Sequence, residues 1–114
     1  MKTFLTAFLL LLCVLELTAA DIMTVRVRDG RVQEHVNGSF RRTYGSDIMD
    51  AATDGEIVAA VTRHGRIQEY IGGSLRRTFG SDVLRVRVSS GTIFAELKNG
   101  RTAEYVNGSL RRTF

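Results

Sequence analysis

The chain has 114 residues, a net charge of +4, no proline and a single cysteine, Cys13. That length admits one domain with a small core. A lone cysteine excludes a disulfide framework, so packing, hydrogen bonds or association with another copy must hold the fold. Beyond the first twenty residues nearly all the positive charge is arginine, Lys98 being the one lysine there, which favours anionic partners without dictating a fold.

Met1-Lys2 supplies a basic start, Phe4 to Leu15 is apolar, and Leu17-Thr18-Ala19-Ala20 ends in small residues. This is the layout of a secretory signal peptide over residues 1–20, cleaved near Ala20. The apolar run falls short of the ~20 residues of a membrane span. Cys13 follows Leu12 rather than a small residue, which argues against lipid attachment. The expectation is a secreted or periplasmic protein with no membrane span after signal cleavage.

From Arg31 onward one unit recurs. Arg31-Val32-Gln33-Glu34-His35-Val36-Asn37-Gly38-Ser39-Phe40-Arg41-Arg42-Thr43-Tyr44 returns as Arg66 to Phe79 and as Arg101 to Phe114, 35 residues apart each time and without a gap. Three units follow, at about 21–46, 47–81 and 82–114. Asp29-Gly30, Asn37-Gly38, Asp54-Gly55, His64-Gly65, Gly72-Gly73, Ser90-Gly91, Asn99-Gly100 and Asn107-Gly108 punctuate them. Such pairs suit two-residue hairpin turns, because glycine accepts positive φ without steric cost. The intervening runs are rich in Val, Ile, Thr, Phe and Tyr and read as strands. No helical period competes. The prediction is an all-β fold, an antiparallel β-meander of about 11 strands in three repeats. A single closed up-and-down β-barrel is the alternative.

Two-residue loops at Gly72-Gly73 and His64-Gly65 set a register in which Glu69 faces Arg76, Gln68 faces Arg77, Val61 faces Gln68 and Ala59 faces Tyr70. One side of the second unit then carries Val58, Ala60, Ile67, Glu69 and Arg76. The other carries Ala59, Val61, Tyr70, Leu75, Arg77 and Phe79. Both sides are partly apolar, so each small sheet is expected to pack on both faces, as stacked repeats do.

Each full unit holds four up-and-down strands, the content of one β-propeller blade. Gly55-Glu56-Ile57-Val58, Arg66-Ile67-Gln68-Glu69-Tyr70 and Gly73-Ser74-Leu75-Arg76-Arg77-Thr78-Phe79-Gly80 together resemble a shortened NHL repeat. That family has a glycine-led strand, an Arg-Ile-Gln-Val-Phe-type strand and a Phe-Leu-Arg-x-Phe-Gly strand. The His64-Gly65 corner lacks the family's Asp and Asn-Asn signature, and the first unit is one strand short. The resemblance implies a propeller-like scaffold that binds protein or other ligands, and it implies no catalytic residue. Three blades do not close a propeller, so a homodimer completing a six-bladed ring is expected.

The double arginines are the candidate chemistry. Strand neighbours point to opposite faces, so Arg41, Arg76 and Arg111 are expected to form structural ion pairs with Glu34, Glu69 and Glu104. Arg42, Arg77 and Arg112, without an acid opposite and close to His35, Tyr70 and Tyr105, are the ligand-binding candidates, able to stack on rings or to hold an anionic group bidentately. His35 and His64 occupy unrelated places, and no metal-ligand spacing is present. Asp47 and Asp82, in Gly-Ser-Asp junctions, read as turn aspartates rather than calcium ligands. Asn37-Gly38-Ser39 and Asn107-Gly108-Ser109 match the glycosylation pattern, but Gly72-Gly73-Ser74 in the middle unit makes a tight turn the shared requirement. No nucleophile, base and acid set occurs, and no cofactor motif. The sequence therefore reads as an exported binding module for a protein or envelope partner, or as a lectin-like binder of anionic glycans. Nucleic acid is disfavoured, because export separates the protein from it.

Overall fold

The structure, a computed structural model, describes residues 20–114, so the expected signal segment lies outside the described residues except for Ala20. Eleven strands follow in chain order: β1 Met23–Arg28, β2 Arg31–Val36, β3 Ser39–Tyr44, β4 Ile48–Thr53, β5 Ile57–Thr62, β6 Ile67–Ile71, β7 Ser74–Phe79, β8 Val83–Ser89, β9 Thr92–Leu97, β10 Thr102–Val106 and β11 Ser109–Thr113. Every pairing is antiparallel and sequential. They build three separate sheets, β1-β2-β3, β4-β5-β6-β7 and β8-β9-β10-β11. A closed barrel needs one continuous ladder, so the single-barrel alternative is excluded.

The glycine pairs make the corners, as expected. At Asn37-Gly38 (φ 53° and 84°) and Asn107-Gly108 (φ 51° and 79°) both central residues are left-handed, the hairpin geometry that matches strand twist. The His64-Gly65 corner departs from the two-residue expectation. Thr62 N donates to the Arg66 carbonyl (2.8 Å) around Arg63-His64-Gly65, a three-residue loop. Val61 therefore lies opposite Ile67 and Ala60 opposite Gln68, one place from the predicted partners. Ile67 consequently joins Ala59 and Val61 on one face, leaving Val58 and Ala60 on the other.

A second slip recurs in all three sheets. Each outermost hairpin starts in the expected register, Tyr70 opposite Leu75 for example, and then bulges. Beyond the bulge Glu34 faces Arg42, Glu69 faces Arg77 and Glu104 faces Arg112. Arg41, Arg76 and Arg111 are the extra residues on the bulged strand. The expected pairs Glu34–Arg41, Glu69–Arg76 and Glu104–Arg111 do not form, because one inserted residue shifts every later partner.

The middle sheet is packed on both faces. Val58, Ala60 and Tyr70 meet Val32, Tyr44, Val25 and Val27 of the first sheet. Ala59, Val61 and Ile67 meet Val83, Val86, Ile93, Ala95, Ala103 and Tyr105 of the third. Val32, Val58, Val61 and Ile67 are fully buried, each contributing about 1.5–3 kcal/mol of transfer free energy. Aromatic pairs repeat at both junctions, Tyr44–Tyr70 at 4.7 Å and Phe79–Tyr105 at 4.9 Å between centroids. Backbone bonds repeat as well: Ile48 N to Gly30 O (2.8 Å) and Val83 N to Gly65 O (3.0 Å).

The two terminal faces differ. On β1 the residues alternating with Met23, Val25 and Val27 are Thr24, Arg26 and Arg28, all exposed. On the far side of the third sheet, Phe94, Glu96 and Thr102 stand 35 residues after Ala59, Val61 and Ile67. Apart from Phe94, these outward positions are polar where the inner faces are apolar.

Candidate functional site

Arg42, Arg77 and Arg112 occupy the same place in each sheet but not the same surroundings. Arg42 Nη1 lies 3.8 Å from Glu34 Oε2, and Arg77 Nη1 lies 3.9 Å from Glu69 Oε1. Both glutamates are buried, and the two arginine side chains are only 30% and 29% exposed. Each arginine stem also lies over a turn of the next sheet. A Cβ on Gly73 would sit 2.7 Å from Arg42 Cδ, and one on Gly108 would sit 2.6 Å from Arg77 Cδ. These two arginines are staples between sheets. Among the described residues no sheet lies beyond Arg112, which is 69% exposed, bonds Glu104 through Nε (2.8 Å) and covers Phe114 at 5.3 Å.

The remaining ligand candidates also divide. Tyr70 and Tyr105 are buried in the aromatic pairs, and the Tyr70 hydroxyl donates to Gln68 Oε1 (2.7 Å). Burial holds the Tyr70 phenol above its ordinary pKa. His35 occupies the equivalent place in the first sheet, which no other described sheet precedes, and meets Phe40 edge-on at 5.9 Å. Position explains the substitution. The six residues are therefore not gathered into one pocket per repeat: four lie within the junctions, and His35 and Arg112 sit at opposite ends of the stack.

The buried Glu34 carries a further partner. Tyr44 donates its hydroxyl to Glu34 Oε1 (3.0 Å), and burial together with that carboxylate drives the Tyr44 pKa far above its ordinary value. Sequence reasoning missed the inter-sheet role of two aspartates, Asp50 of β4 and Asp54 in the corner after it. Asp50 Oδ2 accepts from Val86 N (3.0 Å) and Asp54 Oδ2 from Gly91 N (2.8 Å), tying the second sheet to the third. Burial alone would raise the Asp54 pKa, but amides of Glu56, Ile57 and Gly91 outweigh it and hold the carboxyl below its usual value. Their only sequence signal is that neither recurs 35 residues later, where Arg85 and Ser89 stand. Asn37 serves its corner: Oδ1 accepts from Ile22 N and Nδ2 donates to Asp21, each at 3.0 Å. Asp47 and Asp82 adopt left-handed backbone (φ 55° and 57°) at the junctions.

What remains free is the bulge residue. Arg41, Arg76 and Arg111 are exposed and make no ion pair or hydrogen bond with any described residue. Each follows an exposed apolar side chain, Phe40 (57%), Leu75 (52%) or Leu110 (56%). Strands β3, β7 and β11 contain no acidic residue. In up-and-down sheets the hairpins before these strands all emerge at one end of the stack, so the three apolar-arginine pairs line one rim. A separate cleft of about 320 Å³ opens on the third sheet's end face, lined by Asp50, Arg85, Arg87, Phe94, Glu96 and Thr102. Within it Arg85 pairs with Glu96, and Arg87 covers Phe94 at 5.0 Å. Among the described residues no helix is long and apolar enough to cross a membrane.

The family described as Helicobacter pylori IceA2 protein matches over residues 22–70 and again over 63–114. The chain belongs to the IceA2 family. No curated protein matches this IceA2-family chain. Among solved structures it is similar to the crystal structure of BBS1N in complex with ARL6DN, at TM-score 0.65 and 17% identity, over 80% of this chain and 34% of that one. It is also similar to the WD40 β-propeller domain of Doa1, at TM-score 0.59 and 16% identity, over 83% and 37%. The IceA2-family chain thus spans about a third of the structures it matches, and its three sheets are propeller-like blades.

Proposed function

We propose that the chain is an exported, non-enzymatic interaction module that engages its partner, a protein or an envelope component, along the rim of Arg41, Arg76 and Arg111. The observation that carries this reading is their repetition in every blade with no side-chain ion pair or hydrogen bond to any described residue. The staple arginines are repeated because blades must join; the rim arginines have no such task. The likeness of the units to NHL repeats supports the reading, as does the capture of BBS1N in a complex. Affinity capture from envelope preparations tests it. The wild type retains a partner that the Arg41→Gln/Arg76→Gln/Arg111→Gln triple variant loses, whereas equal capture by both contradicts the reading.

The rim also favours a second reading, a lectin-like or polyanion-binding protein with one equivalent contact per blade, whose multiplicity raises avidity. Retention on heparin at low salt, lost in the same variant, supports it; no retention removes it. A two-copy, six-bladed ring belongs with this proposal. Light scattering tests it: a dimer supports the ring, and a monomer removes it.

A further inference from the structure

We infer that the rim is a docking surface for an anionic lipid bilayer, an inference that rests on the rim reading above and names its partner. Three features select lipid. First, each rim contact pairs an exposed arginine with an exposed Phe or Leu, Phe40-Arg41, Leu75-Arg76 and Leu110-Arg111. A sulfated or uronate polymer needs only the cations, whereas a bilayer interface takes an apolar side chain into its acyl boundary while a guanidinium stays with the phosphates. Second, up-and-down topology puts the three contacts beside the equivalent Asn37-Gly38, Gly72-Gly73 and Asn107-Gly108 corners, at the same end of each sheet. Third, charge complementarity holds along the outer strands: β3, β7 and β11 carry no acidic residue, while the carboxylates at that end, Asp21 beside the Asn37 corner and Asp54 and Glu56 at the β4–β5 corner, lie on other segments.

The bulge is what makes the surface. Without it, Arg41, Arg76 and Arg111 would face the buried glutamates. One extra residue per outer strand gives the glutamate to the second arginine and releases the first to the rim. The bulge also bends edge strands that would otherwise invite pairing with other chains.

Co-sedimentation of the purified protein with vesicles of phosphatidylcholine, with and without phosphatidylglycerol, tests the inference. Binding is expected only to the phosphatidylglycerol vesicles. The Arg41→Gln/Arg76→Gln/Arg111→Gln variant should lose on the order of 100-fold in partition, from the attraction of three basic residues to an anionic surface. Phe40→Ser/Leu75→Ser/Leu110→Ser should lose on the order of tenfold with charge unchanged. The control Arg31→Gln/Arg66→Gln/Arg101→Gln removes the same charge from equally repeated positions at the opposite end of the stack and should retain binding. Far-UV circular dichroism checks that all three variants keep the fold. Equal loss in the two arginine variants, or no loss in the serine variant, overturns the bilayer inference. If the wild type ignores both vesicles but is held on heparin in a rim-dependent way, the lipid inference fails while the rim reading stands. If it binds neither, and envelope capture is unaffected by the rim variant, both fall.

Discussion

Replacing one glycine at each of two corners isolates the arginine staple. Gly38 and Gly108 follow asparagine in corners of the same geometry, with φ of 84° and 79°. Alanine at either position accepts left-handed strain of about 1–2 kcal/mol. The surroundings differ. A Cβ on Gly38 meets nothing within 4 Å, whereas one on Gly108 meets Arg77 Cδ at 2.6 Å and Nη1 at 3.3 Å. Arg77 must then swing out, leaving buried Glu69 without its cation, a further cost of about 1–3 kcal/mol. Urea titration followed by circular dichroism should place the Gly108→Ala midpoint on the order of 1 M below that of Gly38→Ala. In an Arg77→Ala background the difference between the two glycine substitutions should vanish, which is the double-mutant test of the contact. Equal midpoints for Gly38→Ala and Gly108→Ala in the wild-type background would refute the staple.

Other outcomes follow from the same geometry. Tyr44→Phe removes the donor to Glu34 and should cost about 1–3 kcal/mol in urea titration. Because folding raises the Tyr44 pKa, its neutral phenol favours the native state fully below an unfolded value of about 10, and that contribution is lost as pH rises further. Alkaline unfolding curves should therefore steepen above about pH 10 in the wild type and flatten in Tyr44→Phe. Phe79 occupies the place of Tyr44 in the second blade, so Phe79→Tyr should give Glu69 the missing hydroxyl and stabilise by about 1 kcal/mol. The depressed Asp54 pKa contributes stability above an unfolded value of about 3.9 that disappears as pH falls through the folded value. Acid titration of Asp54→Ala should accordingly show a shallower loss than the wild type.

The strands were legible because glycine pairs punctuate them and because apolar residues fill the runs between. Stacking was legible too, since the middle unit carries apolar residues on both faces. Register was not. His64-Gly65 looks like a two-residue corner, and nothing local marks the third loop residue, Arg63. The bulge is hidden more deeply. Phe40 and Tyr44 are four residues apart, so an unbroken strand would put them on one face, yet the inserted Arg41 sends Tyr44 to the Val32 side. That single slip exchanged the roles of the paired arginines, making staples of the residues expected to bind and a free rim of those expected to be paired. The end positions of His35 and Arg112 were equally unreadable, because repeat identity does not say which unit lacks a neighbour.

Arginine-selective labelling with phenylglyoxal, resolved residue by residue by tandem mass spectrometry, tests the bulged register most directly. Arg41, Arg76 and Arg111 should react fast, Arg42 and Arg77 should be protected, and Arg112 should react more readily than either of them. Protection of Arg41, Arg76 and Arg111 with rapid labelling of Arg42 and Arg77 would restore the unbulged register and contradict both the staples and the rim.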